Sequence, residues 1–460
     1  MSPLLASSLA SRLESVVGPE YVHSTQNELE KYQVDGATPA VALQPEAPEQ
    51  AAEIIRIAVE EKLSIIPCGS RSALAIGNLP ARYDLALDMT RISGIAHYDP
   101  GDLTISVNCG THLAELAQIL AEKNQFLPLA VPFFARATVG GAIASGLDSP
   151  LRHSYGTPRD FLIGAEFIDG TGAQAKSGGR VVKNVTGYDF HKLLYGSHGS
   201  LAVITRLNFR TFPLPPSRRG FLASFADETA ALAFVNALTA SFLTPTVLEV
   251  MSPEFARLFL EEQSPVASLR LDSQAWTVCV GFEGTSEVCE RYSRDLAGLA
   301  RTAAAQNAVI IHDAQFLAML EILREAPASM RSTAEQSIVF RFATLPAQLP
   351  DLLRALRSFA NSSWMPPAVL IRGASVVYLA LLPREADESA LKQVAYFCNS
   401  VGSLRGKLEF HPWLLFCPRE WKSALNFSAQ TPVDLDLHRR IKKAFDPSGT
   451  FAPGRFVGGI

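Results

Sequence analysis

Apolar and polar positions follow two different rhythms along this chain. The N-terminal stretch MSPLLASSLASRLESVVG carries apolar side chains at helical spacing and predicts a first helix. Val41–Pro45 then reads as a strand, Glu49–Glu61 as a helix with Ala52, Ile55, Ile57, Ala58 and Val59, and Ser64–Pro67 as a second strand, together a βαβ-like unit. Residues 85–89, 94–100 and 103–110 predict short strands, the last alternating Leu103, Ile105 and Val107, with a turn at Asp99–Asp102. A helix follows over Leu113–Lys123, then a strand over Phe161–Ile168 closed by the turn Asp169–Gly172. Gly178–Thr205 packs glycines at 178, 179, 187, 196 and 199 ahead of an apolar strand.

The second rhythm starts after the proline-rich join Phe212–Pro216. Strand, helix and strand recur as 219–225, 228–241 and 246–251, then 275–283, 286–306 and 309–312. They return as 337–344, 347–361 and 368–372, then 375–383, 386–401 and a strand near 407–410. Such units build an antiparallel sheet backed by helices, a ferredoxin-like arrangement in two halves.

Composition changes this picture by exclusion. At 460 residues the chain is long enough for several domains and for burial of a large cofactor. A net charge of −4 and the lack of a basic stripe with interleaved aromatics argue against nucleic acid as a partner. No run of about 18 apolar residues occurs, so no transmembrane helix is expected, and the N-terminus lacks the basic start and cleavage site of a signal peptide. Cys68, Cys109, Cys279, Cys289, Cys398 and Cys417 form no CxxC pair, which predicts free buried thiols in a cytoplasmic protein and no zinc or iron–sulfur site. The nine histidines are scattered without HxH or HxxxH spacing, so no metal site is expected.

Two stretches carry candidate chemistry. In ATVGGAIASG, residues 137–146, Thr138 is a candidate N-cap and Gly140 and Gly141 open a helix whose first N–H groups, lacking intrahelical partners, suit an anion. In CGSRSAL, residues 68–74, successive N–H groups after a strand form a candidate anion nest in which Gly69 lets a ligand approach the backbone. Neither is a Rossmann fingerprint, because no GxGxxG is present. Each alone is also compatible with a plain surface turn.

Taken in order, these motifs resemble a known family. From about Ala37 to Pro215 the sequence resembles the FAD-binding domain of the vanillyl-alcohol oxidase and p-cresol methylhydroxylase (PCMH) type. The wording GGRVVKNVTGYDFHKLLYGSHGSLAVIT is similar to that of FAD-binding subunits of bacterial glycolate oxidase. The resemblance implies an α+β fold. A helical segment over 1–36 precedes a two-subdomain PCMH-type FAD-binding domain over 37–216, followed by a ferredoxin-like α+β cap over 217–440 and a tail over 441–460 that returns to the FAD domain. It implies that Pro67, Gly69, Ser70, Arg71, Ser72 and Ala73 form the first pyrophosphate loop. Thr138, Gly140, Gly141, Ser145 and Gly146 would form the second, with Val203 and Ile204 beside the adenosine half. Asp160, from the pair Arg159-Asp160, would support the cofactor through polar contacts. The tail FDPSGTFAPGR is similar to the DPxxxxNPGR ending of these flavoproteins, and its Arg455 either contacts the flavin or caps a turn.

Two departures from the family carry information. The loops lack the His or Cys through which some relatives attach FAD, so noncovalent FAD is expected. The first loop also has Arg71 and Ser72 where relatives have a richer glycine pattern. The HGHxGDGN-like metal motif of 2-hydroxy-acid oxidising relatives is absent, and no catalytic residue is assigned. Arg372 and Lys407 have the charge to hold a substrate carboxylate and suit solvated or paired roles at least as well, while His411 in EFHPW could face the flavin but, beside Pro and Trp, better suits a structural role.

The implied function is that of an FAD-binding subunit in a glycolate oxidase-like complex, oxidising a small 2-hydroxy acid such as glycolate or D-lactate, or relaying its electrons. The implied partners are a paralogous FAD subunit and an iron–sulfur subunit, through which the chain can meet the inner face of a membrane. Two alternatives stay open: a stand-alone FAD-dependent dehydrogenase or oxidase of another alcohol or hydroxy acid, and a structural subunit that has lost FAD.

Overall fold

A computed structural model describes residues 7–180, 187–259, 272, 274–333, 336–362, 367–383, 385, 387–403, 411–425 and 434–460. The chain divides into two compact units. One takes residues 1–148, 157–214 and 422–460, and the other 149–156 and 215–421.

The first unit contains two main sheets. Strands β1 (Val22–His23), β2 (Val41–Leu43), β3 (Ile65–Cys68) and β4 (Leu85–Asp88) lie in the order β1-β2-β4-β3, with β2 and β3 each parallel to β4. The crossover helix Pro48–Glu60 starts on a proline, whose missing N–H costs nothing at that position, and buries Ile54, Ile55, Ile57 and Ala58. The expected βαβ unit is therefore split. β4, buried at all four positions, takes the central place between β2 and β3, because LALD has no face suited to water. The outer edge of β3 is covered by the C-terminal segment, where Ile65 N–H donates to Thr450 O at 2.8 Å and Ala452 N–H to Ile65 O at 2.8 Å.

The second sheet is antiparallel, in the order β5-β6-β10-β8-β9, from β5 (Ile95–Asp99), β6 (Thr104–Asn108), β8 (Leu162–Ile168), β9 (Gln174–Gly178) and β10 (Val203–Arg210). β7 (Gln125–Phe126) pairs separately with β11 (Phe212–Pro213). β10 carries a register shift between Ile204 and Arg206, which bends the strand just past Val203 and Ile204.

The second unit holds one eight-stranded antiparallel sheet built from two equivalent halves. The first half is β12 (Ser217–Phe225), helix Glu228–Thr239, β13 (Val247–Met251), β14 (Trp276–Gly284), helix Ser286–Thr302 and β15 (Asn307–His312). The second is β16 (Ile338–Ala343), helix Leu349–Ser362, β17 (Ala368–Arg372), β18 (Val376–Leu381), helix Glu388–Ser403 and β19 (His411–Phe416). The order β15-β12-β14-β13-β17-β18-β16-β19 places each half in the ferredoxin-like order and joins them along β13 and β17. The α+β fold with a duplicated ferredoxin-like sheet is the one expected from the strand–helix–strand rhythm. The strand expected near 407–410 lies outside the described residues, and the strand that is described begins at His411.

Between the halves runs a helix absent from the sequence reading, Asp313–Ser332, with Pro327 inside it. Its buried Phe316, Met319, Leu323, Ala326 and Met330 keep helical spacing, but an interior proline marks a break in any pattern reading. Pro327 has no N–H to give Leu323 O four residues back. That carbonyl instead accepts from Arg372 Nη2 at 2.6 Å. Arg372 also donates to Glu249 at 2.6 Å, directly opposite in the β13–β17 register, and both side chains are fully buried. Of the two roles open to Arg372, the structural one is occupied: it spans the seam between the halves.

Candidate functional site

A cleft of about 520 Å3, measured to its open mouth, lies in the first unit between the turn that ends β3 and the helix Val139–Ser145. A second lobe of about 400 Å3 shares its Pro67, Cys68, Gly69, Thr138, Gly141, Ala144 and Gly199 lining and reaches Val203 and Ile204. Thirteen of the fifteen residues singled out in the sequence line the two lobes: Pro67, Gly69, Ser70, Arg71, Ser72, Ala73, Thr138, Gly140, Gly141, Ser145, Val203, Ile204 and Arg455. The other two do not. Gly146 ends the helix in the left-handed conformation, with a φ of 67°, against Gly196. Asp160 caps a short helix, accepting from Thr157 N–H at 2.7 Å and Thr157 Oγ1 at 2.8 Å.

The two walls work differently. Along the first, the amides of Gly69, Ser70, Arg71, Ser72 and Ala73 donate no hydrogen bond among the described residues, and Arg71 sits at a φ of 65°. A run of free N–H groups with one left-handed residue is a concave donor set for an anion. Along the second wall the helix N-terminus is already satisfied. Val139 N–H donates to Thr111 O at 2.9 Å, Gly140 N–H to Cys109 O at 2.8 Å, and Gly141 N–H to Thr138 Oγ1 at 3.3 Å. The sequence reading of open N–H groups there needs correction, because the end of β6 and the cap residue take them.

What the helix wall contributes is space. A Cβ on Gly141 would meet only Thr138 Oγ1, at 3.1 Å, and otherwise enter the cleft. A Cβ on Gly140 would lie 2.8 Å from Cys109 Cβ, so that glycine lets the helix pack against the β6 end. Across the cleft, a Cβ on Gly69 would collide with Thr138 Oγ1, so the two walls approach as closely as they do only because Gly69 has no side chain.

Buried cations fix the downstream arm of the first loop. Arg455 donates to Leu74 O at 2.6 Å, to Asn78 O at 3.2 Å and to Ile76 O, while Lys422 Nζ donates to Ala75 O at 2.8 Å and Gly77 O at 3.1 Å and pairs with Asp35 at 2.8 Å. Five consecutive carbonyls are thus satisfied from two edges by residues of the C-terminal segment. The guanidinium of Arg455 is a backbone cap.

Three titratable groups line the cleft without having been named as site residues in the sequence: His198, and Cys68 and Cys109, which are free and buried as expected. Burial pushes the Cys68 thiol well above its ordinary value and the Cys109 thiol up to about 12, so both stay protonated. Burial, and secondarily the charge of Arg455, pushes the His198 imidazole down to about 3, so it is neutral near pH 7. Its position between Gly196 and Gly199 in GSHGS was the available signal, since a bulky residue held between conformationally free neighbours is being placed. Among the described residues, no three His, Cys, Asp or Glu side chains gather as a metal-ligand group. His411 opens β19 in the second unit, and Lys407 lies outside the described residues.

The first unit is thus an α+β unit whose cleft sets loop amides without partners among the described residues against a wall of small residues, and the second is a duplicated antiparallel sheet. Comparison with known proteins gives the family. A model described as FAD binding domain matches residues 39–178, and one described as FAD linked oxidases, C-terminal domain, matches 214–371 and 422–456, resuming at the residue where the chain re-enters the first unit. The chain belongs to the FAD-linked oxidases with a PCMH-type FAD-binding domain: it is an FAD-dependent oxidoreductase.

Among curated relatives, glycolate oxidase subunit GlcE of Escherichia coli is 37% identical over 164 residues, 35% of this chain and 46% of that one, so the match spans less than half of that subunit. Glycolate oxidase subunit GlcD of Bacillus subtilis is 24% identical over 78% of this chain and 77% of its own length. A D-2-hydroxyglutarate dehydrogenase of Stutzerimonas stutzeri is 21% identical over 97% of this chain and 98% of its own. Among solved structures, p-cresol methylhydroxylase shares the fold with a TM-score of 0.74 at 17% identity, covering 98% of this chain and 96% of that one. No described helix is long and apolar enough to cross a membrane.

Proposed function

We propose that the first unit is the FAD-binding domain and the second the cap, and that FAD sits noncovalently in the cleft with its diphosphate on the amides of residues 69–73. The observation that carries this reading is that run of five amides without partners among the described residues, facing a wall of glycine and alanine. In it, the amides orient the diphosphate, Gly69 and Gly141 leave room for it, and Val203 and Ile204 give the adenosine half an apolar floor. Protonated Cys68 and Cys109 thiols support noncovalent binding, since a thiol at neutral pH is a poor nucleophile. FAD, when bound, supplies a two-electron acceptor for a hydride from a substrate carbon.

The substrate we propose is a small 2-hydroxy acid, glycolate or D-lactate, with this chain acting as the FAD-binding subunit of a glycolate oxidase-like complex. The names of the relatives support it. The partners in this reading are a paralogous FAD subunit and an iron–sulfur subunit. The alignment with a D-2-hydroxyglutarate dehydrogenase over nearly the whole of both chains favours a second reading, a stand-alone dehydrogenase of a hydroxy acid.

Purified chain should carry flavin absorbance, and acid precipitation should release all of it; flavin retained in the pellet overturns noncovalent binding. Anaerobic mixing with glycolate, D-lactate and D-2-hydroxyglutarate separates the two readings. Rapid bleaching by the isolated chain supports the stand-alone enzyme, and bleaching only after co-purified partners are added supports the subunit.

A further inference from the structure

Arg71 stands in the middle of the five amides that have no acceptor among the described residues, in a left-handed conformation that is sterically unfavourable for an L-residue. Glycine would take it freely. Something else therefore holds Arg71 there, and the side-chain contacts identify it. Arg71 Nη1 lies 2.6 Å from Asp88 Oδ2, and its guanidinium carbon lies 4.7 Å from the centre of the Tyr32 ring.

Asp88 ends the apolar strand β4 and is fully buried. Its Oδ1 accepts from Thr90 N–H at 3.0 Å and Thr90 Oγ1 at 2.6 Å. Its Oδ2 accepts from Tyr32 Oη at 2.9 Å and Gln44 Nε2 at 3.1 Å as well as from Arg71. Tyr32 is fixed in turn, its carbonyl accepting from Tyr83 Oη at 3.0 Å. Burial and the Asp88 charge both raise the titration of Tyr32, so its hydroxyl keeps its proton and stays a donor. Four of the five donors to Asp88 come from outside the loop. The carboxylate is a fixed post, and Arg71 is tethered to it.

We propose that Asp88 is a positioning residue for the cofactor. Acting through Arg71, it holds the first loop in the left-handed turn that makes the amides of 69–73 converge, replacing by a buried charge pair the conformational freedom of a glycine. This rests on the reading of 69–73 as the diphosphate loop and explains how that loop works with an arginine in its centre. The role of Arg71 is then conformational. Its charge is matched by Asp88, and the diphosphate is met by backbone.

The test uses the intact chain stripped of flavin, with FAD affinity read by quenching of flavin fluorescence and the loop read independently by amide hydrogen exchange at Leu74 and Ile76, whose N–H groups donate to Arg71 O at 3.3 Å and Ala73 O at 3.0 Å. Asp88→Asn preserves shape but weakens the tether, and should lower FAD affinity about tenfold while speeding exchange of the Leu74 and Ile76 amides in the flavin-free protein. Adding Arg71→Gly to Asp88→Asn should recover most of that loss, because glycine needs no tether. Arg71→Met alone should lose affinity as Asp88→Asn does. Tyr32→Phe, which keeps the ring and the tether but removes one donor from the post, should stay within about threefold.

Unchanged loop exchange in Asp88→Asn overturns the positioning role whether or not FAD binds. So does a double variant that binds as weakly as Asp88→Asn, since Arg71 would then act by charge. If exchange changes as expected while wild-type protein binds no FAD, the tether stands and the cofactor reading of this loop fails, and with it the assignment of Asp88 to cofactor positioning.

Discussion

The two walls of the cleft look alike in sequence, each a short run of small residues containing glycine, yet they do opposite things. The loop 69–73 offers donors: its amides have no acceptor among the described residues, and its conformation is held by charges from elsewhere. The helix 139–145 offers room: its first N–H groups are spent on Thr111, Cys109 and Thr138, and its glycines matter for the side chains they lack. Similar composition can therefore encode a binding surface or a clearance. The partners of the backbone decide which.

The helix wall gives the largest effects that test this contrast. Gly140→Val drives a Cβ into Cys109 and its carbonyl, so the helix must leave β6. We expect a stability loss of about 3 kcal/mol, read by thermal or urea unfolding, together with loss of flavin. Gly141→Val, one residue on, projects into open cleft, so FAD affinity should fall about 100-fold while the melting temperature of the flavin-free protein moves by only a few degrees. Equal unfolding by both variants would remove the distinction between packing glycine and clearance glycine.

A pH prediction follows from His198. Its folded value, about 3, lies below the ordinary imidazole value near 6.5, so the unfolded chain binds the extra proton first. Stability should be full above about pH 6.5 and fall as pH drops from there toward 3, by about 1–2 kcal/mol at pH 5 given the residual exposure of the ring. His198→Gln should flatten that slope in urea unfolding measured from pH 7.5 to 5.

The smallest effects belong to the loop hydroxyls. If backbone amides carry the binding, Ser70→Ala and Ser72→Ala should each change FAD affinity by about threefold or less. A tenfold loss from either would move the donor role from backbone to side chain.

Much of the fold was legible because it rests on local pattern. The strand–helix–strand rhythm after Pro216 predicted a duplicated ferredoxin-like sheet, and the order of β12 to β19 matches it. The helix 313–332 was hidden by Pro327, since the arginine that satisfies the freed carbonyl of Leu323 comes from a strand about fifty residues away. Arg372 illustrates the limit for charged residues. Its sequence neighbours LIRG left a substrate role open, and its partners Glu249 and Leu323 are contributed by other elements of the fold.

The cleft divides in the same way. That Gly69, Thr138, Gly140 and Gly141 bound a space for something large was readable from residue size and backbone freedom, which are properties of each residue alone. How Arg71 keeps a left-handed turn, why Arg455 faces carbonyls, and which N–H groups remain free were decided only by the tertiary structure. Hydrogen bonding and charge pairing depend on partners, and here the partners Asp88, Tyr32, Lys422 and Cys109 are brought in from distant parts of the chain.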